Sequence, residues 1–122
     1  MEPTLHSGVY VYCSVSHTTD LSAVNVLATF RETEGITIVL PEAEALEAGF
    51  PIMFRAAWIT LSVHSDLQAI GLTAAFASAL GAAGISCNVM AGAYHDHIFV
   101  PVEHAQAAMA VLRALQLQAS QK

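Results

Sequence analysis

The stretch "RAAWITLSVHSDLQ", residues 55–68, decides how the chain is read. Ala57, Ile59, Leu61 and Val63 alternate with Trp58, Thr60 and Ser62, a period of two that predicts a strand with one apolar face. The alternation stops at Ser65. Gln68 follows three residues later, and a serine hydroxyl with a glutamine at that spacing can satisfy backbone N–H groups at a helix start reciprocally. A helix is therefore expected from Ser65 through "LQAIGLTAAFASALGAAG", ending near Gly81 or Gly84. Downstream, "ISCNVMAGAY" (85–94) alternates again, and "HIFVPV" (97–102) is a short strand ended by Pro101. Ala105, Ala108, Met109, Leu112 and Leu115 then recur at helical spacing from Glu103 to about Leu117. The order from residue 55 is strand, helix, strand, strand, helix.

Upstream the same plan recurs in shortened form. "GVYVYCSVS" (8–16) alternates Val9, Val11, Cys13 and Val15 against Tyr10, Tyr12 and Ser14. A polar loop follows, and "LATFRETEG" with "ITIVL" predicts a hairpin turning near Glu34-Gly35. "PEAEALEAGFP" (41–51) predicts a short helix, with Pro41 at its first position, acidic residues in its first turn and Gly49 past its end. Residues 1–52 thus look like a copy of 53–122 that lacks its first helix. The expected fold is α+β, ferredoxin-like units with an antiparallel sheet and helices packed on one face. Each half is expected to borrow an edge strand from the other.

Composition narrows the function classes. The chain has 122 residues, 55% hydrophobic and 11% charged, ample for a core and unlike a disordered segment. Its net charge is −6, and its four basic residues, Arg31, Arg55, Arg113 and Lys122, are scattered. Neither a nucleic acid nor an anionic membrane surface is an expected partner, since both require a positive patch. Leu67 to Tyr94 carries no formal charge, but Gln68, Asn88, Gly71, Gly81 and Gly84 are among the residues that interrupt it, so a buried helix and strand are expected there rather than a membrane span. Met1-Glu2-Pro3 opens without a basic segment before an apolar one, so no secretory leader is expected and the protein is placed in the cytoplasm. Cys13 and Cys87 lack paired spacing and are read as reduced, buried thiols.

The segment 59–115, "ITLSVHSDLQAIGLTAAFASALGAAGISCNVMAGAYHDHIFVPVEHAQAAMAVLRAL", together with "HSGVYVYCSV" and "FRETEGITIVL", resembles the ACT domain family. Its pattern is that of small stand-alone bacterial proteins with two fused ACT-like units. The resemblance implies binding of an amino acid or another small zwitterion, without a cofactor, and regulation through pairing with a second copy or a protein partner. It also implies that the ligand lies where units meet, held by the loop after the first strand and by the start of a neighbouring strand. The matching positions are His64, Ser65, Asp66 and Leu67, then Asn88 and Val89. N–H groups at a helix start suit a carboxylate, Asp66 suits an α-amino group, and Asn88 both donates and accepts. Many family members carry a glycine in this loop, whereas the helix expected from Ser65 places Gly71 a turn inside it.

"AYHDHIFVP" (93–101) holds His95 and His97 on either side of Asp96. Falling between two alternating strands, it is read as a hairpin connection with His95-Asp96 as its connecting residues, since Asp favours turns. A metal would need a third or fourth ligand, for which His64 and Asp96 are the candidates; His6, His17 and His104 have no motif spacing. The hairpin could also line a ligand pocket, which adds His95 and His97 to the candidate ligand-binding residues. Glu32 and Glu34 are read as a solvated edge. No catalytic residue, metal site or enzymatic activity is assigned. The alternative to a ligand-responsive regulator is a ligand-free assembly module burying the Trp58, Met90 and Phe99 face against another subunit; a metal-dependent enzyme using His95, Asp96 and His97 ranks below both.

Overall fold

The computed structural model describes residues 2–62 and 71–120. Its elements in chain order are β1 (Pro3–Leu5), β2 (Tyr10–Val15), β3 (Ala28–Arg31), β4 (Ile36–Pro41), α1 (Glu42–Ala48), β5 (Phe54–Leu61), α2 (Leu72–Ala82), β6 (Asn88–Ala91), β7 (Asp96–Pro101), a 3-10 turn (Val102–His104) and α3 (Ala105–Ser120). They group into two compact units, Gly8–Ala56 and Met1–Ser7 with Ala57–Lys122.

In the unit of residues 8–56 the strand order is β3-β4-β2-β5, every pair antiparallel. Val11 lies opposite Leu40 and Cys13 opposite Ile38, which puts four apolar side chains on one face. That face packs with Ala45 of α1 into a closed core. No helix lies between β2 and β3, as expected. Turns occupy the loop instead, and Leu21, Val24 and Val26 from it, with Phe50 and Ile52, cover the rest of the core. The β3–β4 turn closes where expected, with the Glu32 N–H donating to the Gly35 carbonyl at 2.8 Å. Gly35 is required by space: a Cβ there would stand 2.6 Å from the Val15 carbonyl oxygen, a backbone atom that cannot rotate away. Pro41 precedes α1 as its N-cap (φ −60°, ψ 139°) and still pairs with Tyr10, one position earlier than expected; its extended ψ continues β4. Gly49 follows the helix, as expected.

In the other unit β1 pairs antiparallel with β5 (Pro3 with Leu61, Leu5 with Ile59), β7 lies beside β5, and β6 pairs antiparallel with β7. Strand β1 was not legible in the sequence because three residues carry no measurable alternation. Ile59, Leu61, Ile98 and Val100 point to one face and pack with Phe76 and Leu80 of α2 and Ala108, Met109 and Leu112 of α3. The architecture is the expected ferredoxin-like α+β plan, an antiparallel sheet with helices.

The start of α2 corrects the sequence reading of Gly71. It is not a turn inside the helix; it is the N-cap, with φ 100°. That backbone region is open to glycine and costly for residues bearing a Cβ, so the chain turns into the helix here. The expected capping pair Ser65 and Gln68 lies outside the described residues. Among the described residues, no helix is long and apolar enough to cross a membrane.

Candidate functional site

Because side chains alternate across a strand, the core-facing Ile59 and Leu61 leave Trp58 and Thr60 on the sheet face away from the helices. His97, between the buried Ile98 and Asp96, faces the same way. Leu5 packs on the core, so His6 one residue later also turns to this side, its backbone N–H donating to the Trp58 carbonyl at 2.9 Å. Three strands thereby bring together four side chains that lie far apart in sequence.

Their contacts are specific. The His6 ring stacks on Trp58 with centroids 3.5 Å apart and planes 13° from parallel. His6 Nε2 is 2.7 Å from Thr60 Oγ1, and Thr60 Oγ1 is 3.0 Å from His97 Nδ1. The Trp58 indole Nε1–H donates to the same His97 Nδ1 at 3.1 Å. An indole nitrogen only donates, so His97 Nδ1 must present a lone pair, and the proton of the neutral ring sits on Nε2. The Thr60 hydroxyl then donates to Nδ1 and accepts from His6 Nε2–H. Burial lowers both histidine pKa values. For His6 the neighbouring His97 lowers it further. For His97, His95 adds to the lowering and Asp96 opposes it. Gly92 supports the arrangement by its small size, since a Cβ there would stand 3.3 Å from His97 Nε2.

The β6–β7 connection corrects the sequence reading of "AYHDHIFVP". The turn spans residues 92–95, closed by the Gly92 N–H donating to the His95 carbonyl at 2.9 Å. Asp96 is not a connecting residue; it opens β7 opposite Ala91 and is 9% exposed. Register outweighs the local turn preference of Asp, because sliding β7 by one residue would turn Ile98 and Val100 away from the core. His95 is exposed in the turn, its ring 6.4 Å from that of His97.

Of the other sequence-predicted site residues, Asn88 opens β6, exposed, and donates from Nδ2 to the Phe99 carbonyl at 3.3 Å within its own hairpin. Val89 is 36% exposed. His64, Ser65, Asp66 and Leu67 lie outside the described residues. The structure therefore joins His97 to a cluster and leaves Asn88, Val89 and His95 outside its bonds. His6, Thr60 and Trp58 were missed as a group: His6 and Thr60 stand 54 residues apart, and only the pairing of β1 with β5 makes them neighbours. His17 has a structural role, its Nε2–H donating to the Glu32 carbonyl at 2.6 Å. Glu32 accepts from the Thr37 hydroxyl, and both Glu32 and Glu34 are exposed. Phe99, expected on a face open to another subunit, is only 1% exposed. Cys13 and Cys87 are free thiols, buried and half-buried. Among the described residues, no three His, Cys, Asp or Glu side chains converge as a metal site.

Two family models, both described as ACT domain, match the chain at residues 1–57 and 54–114. No curated protein sequence matches it. Among solved structures, a Vibrio cholerae protein of unknown function, described as a possible transport protein, is similar with a TM-score of 0.86 and 48% identity. The match spans 93% of this chain and 88% of that one. An Agrobacterium tumefaciens protein is similar with a TM-score of 0.72 and 15% identity over 93% and 87% of the two chains. The ligand-free regulatory subunit of aspartate kinase from Thermus thermophilus gives a TM-score of 0.72 at 12% identity, over 93% of this chain and 95% of that one. The last two likenesses are of fold alone. With ACT models matching from residue 1 to residue 114, the chain belongs to the ACT domain family.

Proposed function

We propose that this chain is a regulatory protein that binds an amino acid or a similar small zwitterion and acts by ligand-dependent association with a second copy or a protein partner. The observation that carries the reading is the succession of two ACT matches over residues 1–114. The fold shared with a kinase regulatory subunit supports it. The proposed repeats are residues 1–52 and 53–122, and no catalytic role is assigned to either. The proposed ligand contacts are His64, Ser65, Asp66 and Leu67, with Asn88 and Val89 at the start of β6 and His95 and His97 from the following hairpin. The position of Gly71 favours this loop. As N-cap of α2 it brings no side chain to the N–H groups of the first turn, which suits them to a carboxylate.

A thermal-shift screen of the twenty amino acids against the intact chain tests the proposal. A ligand that binds only the folded chain raises Tm with concentration, and at a hundredfold excess over Kd it adds about 2.7 kcal/mol of stability. Asn88→Ala should reduce that rise. Silence across all twenty would overturn amino-acid binding and leave the ligand-free assembly module.

A further inference from the structure

The cluster of His6, Trp58, Thr60 and His97 has a directional hydrogen-bond pattern that the proposed ligand reading, which uses only His97 of the four, leaves without a role. Two donors, the Trp58 indole and the Thr60 hydroxyl, converge on one lone pair at His97 Nδ1, and Thr60 is in turn the acceptor for His6. The pattern has a single weak point, because only Nδ1 of His97 can change from acceptor to donor within the histidine range.

We propose that these four side chains form a pH-operated latch, closed while His97 is neutral and opened when its Nδ1 takes a proton from solvent, which releases the Trp58 indole from His97. The proton converts the shared acceptor into an N–H. The indole N–H then faces another donor and loses that bond. The Thr60 hydroxyl has to reverse, its oxygen accepting from both histidines. His6 is not the sensor: its Nε2 already donates, so a proton on its Nδ1 breaks none of these bonds, and a cationic ring is tolerated over the Trp58 face. Among the described residues, the charged and titratable groups around His97 are His6 from the end of β1, His95 from the turn and Asp96 beside it on β7. From β5 the neighbours are Trp58 and Thr60, and from β6 the opposite residue is Met90, none of which titrates in this range. Burial and His95 disfavour the cation while Asp96 favours it, so the latch is closed at neutral pH and opens on the acid side.

Trp58 is the single tryptophan, which makes the latch readable in the intact chain. Histidine nitrogen resonances should show His97 with an unprotonated Nδ1 at pH about 8, and Trp58 emission should shift as pH falls to about 5, with the midpoint of the His97 resonance. In His97→Asn, whose amide oxygen accepts the indole N–H without titrating, the emission shift at that midpoint should vanish. A protonated Nδ1 at pH about 8 overturns the proposal without any variant. So does an emission titration that follows the His6 resonance, or one that is unchanged in His97→Asn.

Discussion

Each of the two units buries the apolar face of a sheet, and they cover it differently. In residues 57–120, α2 and α3 lay Phe76, Leu80, Ala108, Met109 and Leu112 over the sheet. In residues 8–56 one seven-residue helix supplies Ala45, and a helix-free loop supplies Leu21, Val24 and Val26. Yet Val11, Cys13, Ile38 and Leu40 are as fully buried as Ile59, Leu61, Ile98 and Val100. What an apolar sheet face requires is removal from water, and the hydrophobic effect is indifferent to whether a helix or a loop provides it. The cost of the loop is local. Its backbone polar groups need partners one by one, as where the Asn25 N–H is bonded to Glu44 Oε1 at 2.7 Å and the Ser22 N–H to Asp20 Oδ1 at 2.9 Å.

The largest test of this comparison is in the helix-covered unit. Phe76→Ala empties a fully buried site between α2 and the sheet and should cost about 3–5 kcal/mol, read by urea denaturation. A loss below about 1 kcal/mol would mean that α2 is not the cover it is taken to be. Next come the hairpins, which close alike, the N–H of the first turn residue donating to the carbonyl of the fourth, but carry glycine at opposite ends. Gly35→Ala drives a methyl into the Val15 carbonyl and should cost about 1–3 kcal/mol, seen as a lower denaturation midpoint. Gly92→Ala, whose nearest atom is 3.0 Å away, should cost less. Equal losses would show that the close approach of Gly35 does not distinguish the two turns.

In the loop-covered unit Val24 is half-buried, and Val24→Ala should cost about 1 kcal/mol by the same measurement. No loss at all would show the loop to be dispensable cover. The smallest expected effect is a pH slope from the histidines of the other unit. Both His6 and His97 have pKa values lowered in the fold, so between those values and the unfolded 6.5 the unfolded chain binds more protons. Stability is fully present above about pH 6.5 and falls as pH drops through the folded values. His97→Asn should flatten that slope, which denaturation midpoints at a series of pH values would record.

Much of the plan was legible because it is local. Alternation at residues 8–16, 55–63 and 85–94 and the short runs at 36–40 and 97–102 predict strands, and the spacing from Ala105 to Leu115 predicts α3, since each pattern belongs to its own element. The readings that failed concern choices between local signals. Asp96 has turn chemistry but stands in β7, where register keeps Ile98 and Val100 inside. Gly71 reads as a helix interior residue but begins α2 in a left-handed conformation. Of the candidate site residues, only His97 enters the bonded cluster among those the structure describes, and its partners were invisible because neither spacing nor composition links residue 6 to residues 58, 60 and 97.

By itself the sequence determined the order of elements after β1, the apolar faces of β2 and β5, the missing helix after β2 and the resemblance to ACT domains, all of which follow from periodicity and from runs of adjacent residues. Tertiary structure alone decided that β1 pairs with β5, that β7 lies beside it, and that two histidines, a threonine and a tryptophan therefore share one hydrogen-bonded chain. The physical reason is that strand pairing is a long-range choice made by the burial of whole faces, and the side chains on the opposite face meet only as its consequence.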